Sequence, residues 1–361
     1  MYKFTLPMEF VKRFSTYVSK IDEFEIPKFS KSEYWKYQSK LIKVDITENQ
    51  ITLDGSSGCY IPQKKGQQLK ITNNLVKLAR KPDKLITYMK RKNKRKKSAI
   101  NLLNYSDAFD TVMQNDPIAD LDLAPYRINF KKLREKPRTI SSMSEMQQRF
   151  FAKDKYDLNP QMIEAYYLYN IMNYFLDTKK INTVLEIGAG NGNFASLMYH
   201  SFKPHIIIVD LPETLCLSIP FITDLFPDAK ILMPHESESY DQESYDFIFL
   251  TPDQIEKIKE NSIDLIVNIS SFQEMTREQI KIYFNLIQKC CKNKGYFLTK
   301  NRVEKIPGSP DIFQKETHEP VNRFSEYPWN SANDVMIYEI CRLSRLVQLD
   351  DCYIRLEQIR K

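Results

Sequence analysis

Glycine is scarce in this chain, at eight residues of 361. That excludes collagen-like repeats and glycine-rich linkers as organising features. Cysteines stand scattered at 59, 216, 290, 291, 341 and 352, with no CxxC pair and no histidine at metal-ligand spacing. Neither a disulfide framework nor a zinc site follows from that pattern, so reduced thiols filling core space are expected and no metal is assigned. Long apolar runs are missing too. Stretches such as 206–209 and 265–267 are far too short to span a bilayer, and residues 1–20 lack the uninterrupted apolar segment of a signal peptide. The expected compartment is the cytoplasm.

A chain that is 42% hydrophobic and 27% charged buries a large core, and its length suits two domains better than one. The net charge of +7 hides an asymmetry. Residues 1–140 hold 29 Lys and Arg against 15 Asp and Glu, whereas 141–361 hold 24 against 31. Much of the excess is one run, Lys90-Arg-Lys-Asn-Lys-Arg-Lys-Lys97, suited to nucleic acid, an anionic surface or simple solvation. No aromatic interrupts it, so base stacking gains no support.

The expected division is a basic, mixed α+β N-terminal domain at 1–140 and an α/β domain at 141–361. The first contains a predicted hairpin (40–46 with 50–58) and a helix near 75–92. From residue 182 the pattern alternates. Strands are predicted at 183–187, 205–210, 246–250, 263–269, 294–300, 334–341 and 352–358, with helices at 192–201, 213–225, 253–260 and 276–291. Nearly continuous apolar strands between amphipathic helices indicate a doubly wound parallel sheet, and the last two strands an antiparallel closing hairpin. Residues 229–234 form an apolar run that this alternation does not place.

Three of the eight glycines, Gly188, Gly190 and Gly192, fall in Thr183-Val-Leu-Glu-Ile-Gly-Ala-Gly-Asn-Gly-Asn193. So local a concentration predicts positive φ or close approach of a ligand at a strand-to-helix turn. A dinucleotide fingerprint GxGxxG would need glycine at 193, where Asn193 stands. The segment Glu186-x-Gly188-x-Gly190-x-Gly192 instead resembles motif I of the class I S-adenosylmethionine-dependent methyltransferases. His205-Ile-Ile-Ile-Val-Asp210 strengthens the resemblance, since its terminal acid lies where a carboxylate receives ribose hydroxyls. Asp210 also suits a helix N-cap before Pro212.

The resemblance implies a Rossmann-like fold and S-adenosylmethionine as cofactor, held by Glu186, Gly188, Gly190, Gly192, Asp210, Leu211, Thr251, Gln254 and Asn268. Three segments, Val209-Asp-Leu-Pro-Glu-Thr-Leu215, Phe249-Leu-Thr-Pro-Asp-Gln-Ile255 and Asn268-Ile-Ser-Ser-Phe-Gln-Glu-Met275, are similar to the sugar O-methyltransferases of bacterial polysaccharide gene clusters. That resemblance covers about residues 145–360 and implies a sugar or glycan hydroxyl as acceptor. Asn268-Ile-Ser-Ser271 is not the Asn-Pro-Pro-Tyr-like tetrapeptide of amine methylation, and no cysteine stands near that strand end to serve cytosine C5 chemistry.

A sugar hydroxyl needs a base for its proton. Glu274 is the first candidate, with a helix-dipole acid before 276–280 as its alternative role, and His235 and His318 compete for the part. Asp311, Glu316 and Glu319, in the loop 301–333, are candidates for lining the acceptor cleft, and Trp329 either stacks on a sugar or covers the core. Two other readings stay open: an RNA methyltransferase gripping phosphates through its basic half, and a non-catalytic fold serving as a binding module.

Overall fold

The computed structural model describes residues 2–24, 35, 39–54, 160–238, 240–305, 321–344 and 351–361. The basic run 90–97, the helix near 75–92, the expected boundary at 140–141, Cys59, Asp311, Glu316, His318 and Glu319 lie outside them. Two compact units are distinguished: Met1–Ile61 with Phe175–Cys341 and Asp351–Lys361, and Pro62–Tyr174 with Arg342–Asp350. Among the described residues no helix is long and apolar enough to cross a membrane.

The first unit begins with β1 (Tyr2–Thr5), α1 (Met8–Ser19), β2 (Lys43–Ile46) and β3 (Gln50–Asp54). β3 lies between β1 and β2 in an antiparallel sheet, so the predicted hairpin forms and gains a third strand. In α1 the apolar residues Phe10, Val11, Phe14 and Tyr17 recur at helical spacing and are all buried. The N-terminal residues up to 54 therefore belong to the same compact unit as the main sheet.

The second unit contributes most of α2 (Pro160–Phe175), a largely apolar helix buried along most of its length, Glu164 and Asn170 included. Within that unit the Ser344 hydroxyl donates to Glu164 at 2.9 Å.

The rest of the first unit is the alternating domain. It runs β4 (Thr183–Ile187), α3 (Asn193–Phe202), β5 (His205–Val209), α4 (Pro212–Leu225), β6 (Ile231–Leu232), β7 (Phe247–Leu250), β8 (Ile263–Ile269), α5 (Arg277–Cys290) and β9 (Cys291–Arg302). Two short strands follow, β10 (Glu304–Lys305) and β11 (Asn322–Arg323), then β12 (Asp334–Ile340) and β13 (Cys352–Gln358). Eight strands form one sheet in the order β12-β13-β9-β8-β4-β5-β7-β6. β4 to β9 are parallel, β13 runs antiparallel to β9, and β12 antiparallel to β13. This is a Rossmann-like, doubly wound sheet with the expected antiparallel closing hairpin.

Two expectations change. The helix expected at 253–260 is a 3-10 turn over Pro252–Lys257, with Pro252 at its first position. The unplaced run at 229–234 supplies β6, an edge strand paired in parallel with β7. The order in which strands are added reverses at β4: β5, β7 and β6 extend the sheet one way, and β8 and β9 the other. Loops leaving β4, β5 and β8 consequently meet at the carboxyl edge, where such sheets hold ligands.

Phe14 is fully buried and its ring lies 6.3 Å from Phe10 and 6.2 Å from Tyr17. Phe14→Ala is expected to cost about 3–5 kcal/mol in urea unfolding. A loss below about 1 kcal/mol would show that α1 is not part of this core.

Candidate active site

The loop after β4 is built on three left-handed glycines, Gly188 at φ 71°, Gly190 at 60° and Gly192 at 82°. Each requires glycine for its backbone, and two require it for space as well. A Cβ on Gly188 would stand 2.2 Å from Ser271 Oγ, and one on Gly192 2.8 Å from Ile222 Cδ1. At Gly190 a Cβ would meet nothing within 4 Å. That side of the loop is open to a ligand.

Asp210 follows β5 and closes the loop from the other side. Its Oδ2 accepts the Gly190 N–H at 2.8 Å and its Oδ1 the Leu211 N–H at 2.7 Å. The helix cap is Leu211, with Pro212 at the first position of α4, so Asp210 serves the loop rather than capping the helix. Burial is the main force raising the Asp210 carboxyl to about 7; the two N–H bonds oppose it, and the charges of Glu274 and Glu213 add to it. Glu186, in the strand itself, is 2% exposed. Desolvation raises it to about 8 against one bond from the Ala195 N–H, with Asp210 contributing repulsion.

Several buried polar atoms beside this loop have no hydrogen-bond partner among the described residues: Glu186 Oε2, Asn193 Oδ1 and Nδ2, and Ser196 Oγ. Leaving such atoms unpaired costs about 1–3 kcal/mol each, so their clustering marks a place for a polar ligand. Asn193 entered the sequence reading only as the residue that breaks a dinucleotide fingerprint. Its buried amide is a feature of the site that spacing alone could not reveal.

Asn268, at the end of β8, is fully buried and joins two strand ends. Its amide donates to the Ile187 carbonyl at 2.9 Å and to Ser271 Oγ, while its Oδ1 accepts from Asn301 Nδ2 at 2.9 Å. These bonds give Asn268 the work of holding the loop. Gln254 is similarly engaged, accepting from the Thr251 N–H at 3.1 Å and donating to the Pro234 carbonyl at 3.0 Å. Thr251 and Gln254 thereby stitch the end of β7 to the end of β6.

Glu274 lies in the turn after β8, 15% exposed in its side chain. Its Oε2 accepts from the Trp35 indole N–H at 3.0 Å, and its Oε1 pairs with the Lys305 ammonium at 3.4 Å. The helix-dipole alternative does not hold, because α5 begins at Arg277 and is capped by Thr276 with Gln279. Neither Trp35 nor Lys305 was singled out from sequence, since each comes from a segment without local signature. Lys300, only 2% exposed, donates to Ser270 Oγ at 3.0 Å just behind the same turn.

His235 follows the edge strand β6 and stacks on Tyr17 at 6.1 Å. Burial lowers its pKa. Four strand spacings separate β6 from β8, about 19 Å. His235 and Glu274 thus belong to different ends of the cleft. Trp329 lies against Phe284 and Phe324, each at 5.0 Å, and its indole donates to the Phe324 carbonyl at 2.9 Å. Its place is in the core cover. Cys290 and Cys291 sit at the amino end of β9, the far edge of the sheet, and burial raises their thiols to about 11 and about 12.

No family model matches this chain, and no curated protein matches it. Solved structures similar to it include one described as a sarcosine dimethylglycine methyltransferase from Galdieria sulphuraria, at 10% identity and a TM-score of 0.39, covering 55% of this chain and 85% of that one. A SAM-dependent methyltransferase from Aquifex aeolicus gives 12% and 0.36, with 56% and 94% covered. Haemonchus contortus phosphoethanolamine N-methyltransferase 1, in complex with phosphoethanolamine and S-adenosylhomocysteine, gives 14% and 0.36, with 71% and 49% covered. Likeness at this level decides nothing about substrate or activity, which rest on the residues above.

The raised carboxyls have a measurable consequence. The folded protein keeps protons on Glu186 and Asp210 that the unfolded chain loses near pH 4, so their contribution to stability is present at low pH and declines as pH rises toward about 7 and 8. The thermal midpoint of Asp210→Asn should therefore fall less between pH 5 and pH 8 than that of the parent. Equal declines in both proteins would contradict the buried carboxyl.

Proposed function

We propose that this chain binds S-adenosylmethionine at the glycine loop and is an O-methyltransferase acting on a sugar hydroxyl. The observation that carries the cofactor assignment is the set of unpaired buried polar atoms and raised carboxyls around the open side of Gly190. S-adenosylmethionine bears two positive charges, on sulfur and on its amino group, and one carboxylate. A cradle of Glu186, Asp210 and Glu274 suits that balance. Asp210 would hold the ribose hydroxyls, with lone pairs remaining beyond the two N–H bonds it accepts. Leu211 would lie against the adenine.

When bound, the cofactor supplies an electrophilic methyl group on its sulfonium. The protein's part is alignment and proton acceptance. Glu274 would take the proton from the acceptor hydroxyl, its carboxylate held in orientation by Trp35 and Lys305. An oxygen acceptor is favoured over an exocyclic amine because Asn268 Oδ1 already accepts from Asn301 Nδ2 and the Phe272 N–H, leaving it no ready acceptor for the N–H of a planar amine. The sugar class is supported by the three segments resembling sugar O-methyltransferases, and it is the substrate arm of the proposal.

Calorimetry with S-adenosylmethionine tests the donor site. Binding should weaken at least tenfold in Asp210→Ala and Gly190→Val; unchanged affinity in both would remove the assignment. Glu274→Gln should keep cofactor affinity and lose about 10²–10⁴-fold in turnover on the acceptor that a labelled-methyl screen of glycan extracts identifies. Full turnover at saturating cofactor would exclude Glu274 as the base.

A further inference from the structure

The opposite edge of the sheet holds a cleft of about 530 Å³, at the amino ends of β4, β5, β8 and β9. Its walls carry four lysines from four separate segments: Lys179, Lys203, Lys259 and Lys292. Lys292 is paired with Asp264 at 2.7 Å. Lys179, Lys203 and Lys259 have no carboxylate partner among the described residues. Lys203 caps α3 in a left-handed conformation at φ 51° and lies over the Tyr199 ring. The same cleft is lined by a different chemistry, Asp241, Gln242 and Glu243 in one turn, where Asp241 also accepts from the Ser244 hydroxyl at 2.9 Å. Gln242 is 7% exposed, and its Oε1 is buried without a hydrogen-bond partner. A buried amide oxygen on the wall of an open cleft asks for a donor from outside the chain.

We propose that this cleft is a second ligand site, selective for a phosphorylated sugar. Lysines from three loops meet the phosphate as point charges. Gln242, with the carboxylates of Asp241 and Glu243, accepts the ligand's hydroxyls, which a bare phosphate or a purely basic patch would not require. The volume falls in the usual range for small-molecule sites. The length of β4, about 17 Å, separates the cleft from the glycine loop, so a ligand here is not the atom that receives the methyl. The site stands independently of the proposed activity.

The test is calorimetry on the full chain with glucose 1-phosphate, inorganic phosphate and glucose as probes. Glucose 1-phosphate should bind more tightly than either fragment, with affinity that falls as salt rises. The double variant Lys203→Gln, Lys259→Gln should weaken it at least tenfold. Gln242→Met, close in shape, should weaken glucose 1-phosphate about fivefold to tenfold and leave inorganic phosphate unchanged, with circular dichroism and S-adenosylhomocysteine affinity as checks on the fold. Absence of glucose 1-phosphate binding at millimolar concentration overturns the proposal, as does unchanged affinity in the double variant. Equal binding of inorganic phosphate, or a short RNA that binds the same lysines without competition from the sugar phosphate, would overturn it too.

Discussion

Everything at the carboxyl edge depends on one buried joint, the contact between the end of β4 and the end of β8. Gly188 admits Ser271 only because it lacks a Cβ, and Asn268 reaches across to the Ile187 carbonyl and the Ser271 hydroxyl. Asn301 extends the joint to β9, holding Asn268 Oδ1 and accepting the Gln273 N–H at 3.2 Å. Gln273 in turn accepts from the Arg302 N–H at 2.8 Å. A fully bonded polar network in a dry interior is rigid, and a loop anchored to it keeps its shape with or without a ligand. The turn that carries Glu274 is part of the same network, so Glu274 and the glycine loop share one frame.

The electrostatics are arranged around that frame. Glu186 and Asp210 are forced together by strand register, each too buried to ionise easily and each opposing the other's charge. Such a pair costs stability as pH rises toward neutrality, because the unfolded chain ionises both groups freely and the folded one does not.

Much of this was legible in the chain. Strands β4 and β8 span the residues expected of them, because buried parallel strands draw on nearly continuous apolar sequence, and the antiparallel β13 does so by its alternation of apolar and polar residues. The glycine triplet announced its backbone, since all three stand at positive φ. Long-range partners were not legible. Arg13 with Glu236, Trp35 with Glu274 and Asn268 with Asn301 are each separated by 33 residues or more, and spacing along a chain carries no record of them. The same limit hid β6: two residues at a sheet edge give too short a pattern, and only pairing with β7 defines them. The bonds of Asn268 and Gln254, whose amides are engaged by neighbouring strand ends, were not legible either.

The Arg13 pair bears on how the molecule comes into being. Its guanidinium meets both oxygens of Glu236 at 2.7 Å and the Ile231 carbonyl at 2.8 Å, and Tyr17 donates to the Pro212 carbonyl at 2.7 Å. Helix α1 thus has these partners more than 190 residues downstream. At about 5–20 residues per second, α1 waits on the order of 10–40 s before its binding surface exists. Throughout that interval Phe10, Phe14 and Tyr17 form an apolar stripe with nothing of the eight-stranded sheet to pack against, so α1 is fastened to it only after the segments carrying Pro212 and Ile231 have been made.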